Sequence, residues 1–185
     1  MINHRFHFDS IPAAPWKNGG GVTRQIAQSG PGDPFWRLSI ADVEKDGPFS
    51  DFPGLRRILT VISGSGMTLK LAEGACPADL HIPVHFSGDT PVDGVLRDGP
   101  VQNFNLIYDA EKLVAGVQAG PLDKLEFAGR TSAFLSVVYC LSGSMDLKGQ
   151  EALIAGSGVL NPTEFPQPRG RERTFVLYVA LRLRR

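Results

Sequence analysis

The stretch Trp16-Lys-Asn-Gly-Gly-Gly-Val-Thr-Arg-Gln25 sets an aromatic side chain, a cation and an amide against three consecutive glycines. Glycine accepts positive φ and lets a ligand or a second backbone approach closely, but it loses more conformational entropy on folding than other residues do. A run of three therefore needs a geometric reason. We interpret this bend as part of a small-molecule pocket, with a tight structural turn as the alternative.

On both sides of the bend, apolar and polar residues alternate with a period of two, which is typical of half-buried strands. Denser apolar runs further along are typical of strands that are covered on both faces. The 21 glycines and 14 prolines cluster between these runs, as turn residues do. No segment sustains a helical period, so the pattern predicts an all-β sandwich or barrel. The alternating segments are 2–8, 22–27 and 36–41, and the dense ones are 57–62, 134–141 and 174–181.

An internal repeat divides the chain. The segments Val61–Leu69 and Tyr139–Leu147 both consist of an apolar strand, a Ser-Gly turn and a return strand. Two unrelated hairpins are the alternative, but we favour duplication because all three parts match. We therefore expect a first domain over residues 1–112 and a second half over residues 113–185. The second half is short for an independent core, so we expect it to share strands with the first or to pack obligately against it.

Composition and charge exclude several classes of partner. The 19 basic residues balance the 19 acidic ones, so no global field favours nucleic acid. We interpret the Arg-rich end of the chain, 169–185, as a solvated surface, with an anion-binding tail as the alternative. No apolar run reaches the ~18 residues that a membrane span needs, and the first residues lack the apolar region of a signal peptide. We expect a soluble cytoplasmic protein with no nucleic-acid or membrane partner, and a homodimer is compatible with the sequence.

The four histidines are not spaced to share a metal ion. On a strand, His81 and His85 would sit ~13 Å apart, and Pro83 between them argues against a helix. His4 and His7 fall on opposite faces of a strand. We therefore expect no metal site.

Sequence signals for catalysis are also missing. There is no Gly-x-Ser-x-Gly elbow and no phosphate loop, and Cys76 and Cys140 are isolated, which is typical of reduced thiols. We expect no catalytic residue and no cofactor. An enzyme that uses Asp98 or Glu44 as a base, or a metal gathered from distant residues, stays open as an alternative.

Arginines on two strands could recognise an anion. Arg37 and Ser39 share one strand face, opposite the bulky Trp36, and would look into a cavity if the apolar set packs between layers; a solvent-facing Arg37 is the alternative. Arg57 alternates with apolar residues at the start of a dense strand, which predicts a partly buried guanidinium. Such a group needs a carboxylate from the protein or from a ligand. Arg56, on the opposite face, is then the solvated one.

Pro15-Trp-Lys-Asn-Gly-Gly-Gly-Val-Thr-Arg-Gln-Ile26 resembles the signature of the HutD/Ves family of bicupins. Further blocks match in order over about residues 6–106, among them Trp36–Ala41, Asp46–Ser50 and Leu96–Leu106. The resemblance implies two cupin-like, jelly-roll β-barrels packed in one chain. It also implies a role linked, in some members, to histidine utilisation, as a regulator that binds a metabolite such as urocanate or N-formylglutamate. Other members are described only as stress-induced.

The resemblance and the face assignments together predict a binding site for a small carboxylate metabolite. Arg57 or Lys17 would pair with the carboxylate, and Gly20 would lie in the bend. The expected hydrogen-bonding residues are Asn18, Thr23, Ser39 and Asn105, and the expected apolar walls are Trp16 and Phe49. Gln25 and Asn103 stand where the family usually has acids, which bears on specificity. The alternatives are a cupin enzyme acting on a small organic acid, a stress-related protein, and a scaffold that acts through its Arg-rich end.

Overall fold

The computed structural model describes residues 4–32, 34–126, 133–169 and 173–184. Within these ranges the chain forms strands and two single-turn 3-10 helices, Phe8–Ser10 and Leu122–Lys124. The strands up to Tyr108 are β1 (His4–His7), β2 (Ala13–Pro15), β3 (Gly21–Gln28), β4 (Trp36–Val43), β5 (Gly47–Pro48), β6 (Arg56–Ser63), β7 (Met67–Leu71), β8 (Gly74–Ala78), β9 (Val84–Ser87), β10 (Asp93–Leu96) and β11 (Val101–Tyr108). Those that follow are β12 (Leu113–Pro121), β13 (Leu135–Ser142), β14 (Ser144–Asp146), β15 (Leu153–Ile154), β16 (Ser157–Leu160), β17 (Gln167–Pro168) and β18 (Phe175–Leu183).

The chain divides into two compact units. The first unit is Pro12–Lys112, and the second unit is Leu113–Arg185 together with the segment that ends at Ile11. The chain passes from the first unit to the second after Lys112. β1 and the residues that follow it up to Ile11 belong to the second unit, in which β1 pairs with β16.

Two antiparallel sheets build the first unit. The larger sheet has the order β2-β3-β4-β11-β6-β9, and the smaller has the order β5-β10-β7-β8. Apolar side chains of both sheets, such as Leu59, Val101 and Met67, form one buried cluster. The face of the larger sheet that carries this cluster is called its inner face. Because side chains alternate between the two faces of a strand, the polar residues of β4, β6 and β11 on the inner face lie beside the cluster.

The opposite face of the larger sheet is apolar as well. Leu38, Ile40, Ile58, Phe104 and Leu106 on this face are all buried. Burial on both faces explains why β4, β6 and β11 appear in the sequence as dense apolar runs or as strands with few charges.

The second unit repeats this arrangement with fewer strands. Its larger sheet has the order β1-β16-β13-β18-β12, and its smaller sheet has the order β15-β14-β17. Its core includes Val138, Met145, Leu153 and Tyr178.

The repeated Ser-Gly hairpins occupy matching places in the two units. β6 precedes Gly64 and lies between β11 and β9, whereas β13 precedes Gly143 and lies between β18 and β16. Both glycines have positive φ, +92° and +76°. A Cβ on Gly64 would lie 2.6 Å from the carbonyl oxygen of Pro100, so this turn has room only for glycine.

Candidate functional site

The glycine bend is a closed turn at the start of β3. The Gly19 amide donates to the Trp16 carbonyl at 3.0 Å, and the Trp16 amide donates to the Gly21 carbonyl at 2.9 Å. Gly19 has a φ of +66°. A Cβ on Gly21 would collide with the carbonyl oxygen of Asp42 on β4, so the bend needs glycine at position 21 to let the two strands approach.

Position 20 requires glycine less strictly than positions 19 and 21 do. Its φ is not positive, and a Cβ there would meet only the Asn18 side chain, at 3.3 Å. The Asn18 Oδ1 accepts a hydrogen bond from the Gly20 amide at 3.0 Å, and its Nδ2 donates to the Pro48 carbonyl at 3.3 Å. Lys17 is exposed, so the structure places it apart from the buried predicted residues.

An aromatic pair joins the bend to the interior of the first unit. The Trp16 indole donates to the Thr23 hydroxyl at 2.7 Å and contacts Phe49 edge-on, with ring centroids 5.8 Å apart. Both rings pack against the buried cluster of the first unit. Gly94 on β10 makes room for Phe49, because a Cβ there would lie 2.9 Å from the ring.

Strand register brings the polar residues of the inner face together. Across β4, β11 and β6, Arg37 and Arg57 both pair with Ile107. In the next row on the same face, Asn105 pairs with Ser39 on one side and with Leu59 on the other. Arg57, Ser39 and Asn105 are all buried, whereas Arg56 is exposed, as the alternation in the sequence predicts.

Arg57 is the central cation of this face, with only 6% of its surface exposed. Its Nη1 donates to the Ser50 carbonyl at 3.1 Å and its Nη2 to the Asn105 Oδ1 at 3.4 Å, while its buried Nε has no partner. Within the described ranges no carboxylate oxygen lies within 4.0 Å of its guanidinium. Burial, followed by the nearby Arg37 charge, lowers the pKa of Arg57 to about 10, against a smaller opposite effect of Asp51.

Three phenylalanines surround the Arg57 guanidinium. Its central carbon lies 4.9 Å from the ring centroid of Phe86, 5.2 Å from that of Phe52 and 5.5 Å from that of Phe49. Aromatic faces attract a cation but do not neutralise it. Arg57 is therefore a desolvated positive charge in an apolar setting.

The segment that carries Phe49, Ser50 and Phe52 is fixed by hydrogen bonds. The Phe52 amide donates to the Gly88 carbonyl at 2.8 Å, and the Gly54 amide donates to the Asp89 carboxylate at 2.7 Å. The Gly54 amide and then the Ser87 hydroxyl lower the pKa of the Asp89 carboxyl. Hydrogen bonds of the backbone thus set the position of these aromatic rings.

The amides of β11 continue the polar chain from Arg57. The Asn105 Nδ2 donates to the Asn103 Oδ1, and the buried Asn103 Nδ2 has no partner. A buried donor without a partner costs free energy, so the Asn103 Nδ2 is suited to donate a hydrogen bond to a ligand.

The site contains residues that the predicted set lacked. Arg37, Phe52, Phe86 and Asn103 join it. The face that Arg37 shares with Ser39 already indicates Arg37 in the sequence, although the predicted ligand-binding set does not include it. Phe52 lies in a Phe-Pro-Gly turn, and no periodicity indicates where its ring points.

A family model described as HutD matches residues 9–164, which is most of the chain. The chain belongs to the HutD family. It is 35% identical over 146 residues to protein Ves of Cronobacter sakazakii, an alignment covering 77% of this chain and 78% of that protein. It is also 47% identical over 113 residues to the "Uncharacterized 21.2 kDa protein in hutC 3′ region" of Pseudomonas putida, and this match spans 58% of each chain. The predicted HutD/Ves resemblance is confirmed.

Solved structures confirm the predicted all-β bicupin fold for this HutD-family chain. The structure of HutD from Pseudomonas fluorescens SBW25 has 29% sequence identity and a TM-score of 0.76, and the match covers 99% of this chain and 100% of that chain. A Cupin 2 conserved barrel domain protein from Leptotrichia buccalis has only 11% identity but a TM-score of 0.56, over 97% of this chain and 96% of that one. The second likeness concerns the fold alone.

Other reactive side chains of this HutD-family protein lie apart from the inner face. In the described part of the chain, no three His, Cys, Asp or Glu side chains are grouped as a metal site. Asp98 and Glu44, considered as bases, are exposed. Burial raises the pKa of the Cys140 thiol to about 11, so this thiol is protonated at neutral pH. Burial also lowers the pKa of His81 and of His85.

A concavity of this HutD-family protein between β4, β6 and β11 is open to solvent. Its lining includes Asp42, Lys45 and Gln102 but no aromatic residue. The Asp42 carboxylate there is already satisfied, because it accepts from Arg24 and, at 2.8 Å, from the Gln102 amide. The described residues also contain no helix long and apolar enough to cross a membrane.

Proposed function

We propose that this HutD-family protein binds a small carboxylate metabolite at the inner face of its first unit and acts as a regulator of histidine utilisation. The observation that carries the proposal is Arg57, a buried cation with no carboxylate partner among the described residues. Burying a charge is costly unless it is paired. A carboxylate ligand would supply the missing negative charge through a charge-assisted hydrogen bond.

The surroundings of Arg57 favour a small organic acid over a bare inorganic anion. Phe49, Phe52 and Phe86 offer apolar contact area, whereas Ser39 and Asn105 offer directional hydrogen bonds. Largely apolar walls with few convergent polar groups are typical of metabolite sites.

The link to histidine utilisation rests on the family and on the Pseudomonas putida relative, which is named for the hutC 3′ region. In this proposal the ligand is urocanate or an N-formylglutamate-like acid. Binding reports the level of the metabolite only if the ligand has unequal affinity for two states of the protein.

Thermal unfolding with urocanate or N-formylglutamate at millimolar concentration tests the binding step. A ligand at about 100 times its Kd adds roughly 2.7 kcal/mol to the free energy of unfolding, so the melting temperature should rise. The absence of a shift with either acid at millimolar concentration would remove the proposal.

Arg57→Ala and Arg56→Ala form a matched pair for the same assay. Loss of a charged hydrogen bond costs roughly 1.5–3 kcal/mol, so Arg57→Ala should weaken binding by about 10- to 150-fold. Arg56 is exposed on the opposite face, so Arg56→Ala should leave the Kd unchanged. Equal effects of the two substitutions would contradict the placement of the ligand on the inner face.

Expression of the histidine-utilisation genes tests the regulatory step. In a cell whose own copy carries Arg57→Ala, the response of these genes to histidine should resemble that of a deletion strain. The Arg56→Ala strain should respond as the wild type does. A normal response of the Arg57→Ala strain would separate metabolite binding from regulation.

A further inference from the structure

The Arg37 guanidinium also lies on the inner face, beside Arg57, and the proposed function gives it no role. Arg37 on β4 and Arg57 on β6 face Ile107 from opposite sides, so one strand separates them. Both guanidinium carbons lie close to the Phe52 ring centroid, at 4.9 Å for Arg37 and 5.2 Å for Arg57. The two cations therefore contact the same aromatic ring.

The described residues make no ion pair with either of these two charges. The ion pairs of the described ranges involve other basic residues, for example Arg24 with Asp42 and Arg97 with Asp79. The Asp51 charge acts on Arg57, but its effect is smaller than that of Arg37. The buried polar residues beside Arg57 on β11, Asn105 and Asn103, are neutral amides. Two like charges in one partly desolvated site repel each other, and a bound anion would relieve this repulsion.

Each arginine also has a donor to spare. The Nε atoms of Arg37 and Arg57 are both buried and both without a hydrogen-bond partner. A single carboxylate at Arg57 would satisfy one of them and leave the Arg37 charge and its Nε uncompensated.

We propose that the ligand carries two anionic groups, and that Arg37 binds the second while Arg57 binds the first. This inference rests on the proposed function, because it assumes that a carboxylate enters this site. It makes Arg37 a specificity-determining residue: a dicarboxylate such as N-formylglutamate pairs with both cations, whereas a monocarboxylate such as urocanate leaves the half-buried Arg37 unpaired.

Matched ligands test the inference without any change to the protein. Succinate and glutarate are compared with their monoamides, succinamate and glutaramate, which keep the size but replace one carboxylate by an amide. Calorimetric titration of the wild-type protein should give a Kd at least about tenfold lower for the better dicarboxylate than for its monoamide, as one charged hydrogen bond predicts. Equal affinity of each diacid and its monoamide would overturn the inference.

Arg37→Gln then assigns the second anion to its residue. This variant should bind the dicarboxylate about as weakly as the wild type binds the monoamide, and its affinity for the monoamide should change little. Arg56→Gln, on the exposed side of β6, is the control and should keep the wild-type preference. If Arg37→Gln weakens both ligands equally, Arg37 does not select for a second charge, and the inference is wrong.

Failure of the two proposals can be told apart. If the wild-type protein binds monoamides and diacids alike, carboxylate binding stands and the dianion inference falls. If it binds urocanate but neither N-formylglutamate nor the two diacids, carboxylate binding also stands and the dianion inference falls. If it binds N-formylglutamate but not urocanate, both proposals stand. If it binds none of these acids, both fall. The comparison of wild-type affinities remains decisive even if Arg37→Gln does not fold.

Discussion

At the scale of single residues, Arg57 combines features that a purely structural arginine lacks. It is buried, it contacts three aromatic rings, and its hydrogen bonds go to a backbone carbonyl and a neutral amide rather than to a carboxylate. The lowered pKa has the same origin, since burial and the Arg37 charge disfavour the protonated form. With a pKa of about 10, the group is still a cation at neutral pH and is ready to pair with an anion.

The pKa of Arg57 predicts how ligand affinity depends on pH. A bound carboxylate favours the charged guanidinium, so it raises this pKa, and affinity is constant while Arg57 is protonated in the free protein. As the pH rises through about 10, the free protein loses the proton and must regain it on binding. The affinity should then fall, by up to about tenfold per pH unit.

Titration calorimetry with N-formylglutamate between neutral pH and pH 11 measures this dependence. Far-UV circular dichroism at each pH confirms that the protein stays folded. The free energy of unfolding should respond in the opposite sense and rise with pH above about 10, because the unfolded chain still holds the Arg57 proton that the folded one has lost. An affinity that stays constant across pH 10 in folded protein would show that the Arg57 proton is not coupled to binding.

At the scale of elements, close approach of strands decides what the glycine bend must be. β3 pairs with β4 from Gly21 onward, and the Asp42 carbonyl occupies the space that a side chain at position 21 would need. Gly19 supplies the left-handed turn. Gly20 donates to the Asn18 side chain and accepts from the Glu44 and Lys45 amides, and neither contact requires glycine. The three positions therefore differ in how strictly they require glycine.

Alanine substitutions at positions 21 and 20 test this difference. Gly21→Ala must push β3 away from β4, so it should destabilise the protein by several kcal/mol, at the upper end of single-mutant effects. Gly20→Ala meets only a movable side chain and should cost about 1 kcal/mol or less. Urea unfolding of both variants measures the difference, and similar losses would contradict the register of β3 against β4.

The same elements show what local sequence can predict and what it cannot. A period of two is sufficient to predict that Arg57 points inward and Arg56 outward, because only alternation on one strand is involved. The pairing of β1 with β16 joins distant parts of the chain, so no local pattern places β1 in the second unit. Phe52 contributes to the site through a loop that backbone hydrogen bonds fix to Gly88, and these bonds leave no periodic signal.

At the scale of the whole molecule, the candidate site belongs to one of two units. Every residue placed in it lies within Pro12–Lys112, and the repeated Ser-Gly hairpin shows that the second unit uses a related arrangement of strands. By register, Ser136, Tyr178 and Val176 of the second unit stand where the first unit has Arg57, Asn105 and Asn103. A related fold thus appears twice in the chain, and the second copy has no arginine or asparagine at these three positions.

This division predicts that stability and ligand affinity can be changed separately. Leu153 in the second unit and Leu59 in the first are both fully buried, so Leu153→Ala and Leu59→Ala should each lower the free energy of unfolding by about 2–5 kcal/mol. Leu59 pairs with Asn105 on the inner face, so its truncation should also weaken N-formylglutamate binding. Leu153→Ala should leave the Kd within about twofold of wild type, as for distant sites. Urea unfolding measures the two losses of stability, and calorimetric titration well below each variant's melting temperature measures the two Kd values. A loss of affinity in Leu153→Ala as large as in Leu59→Ala would show that binding depends on the second unit as well.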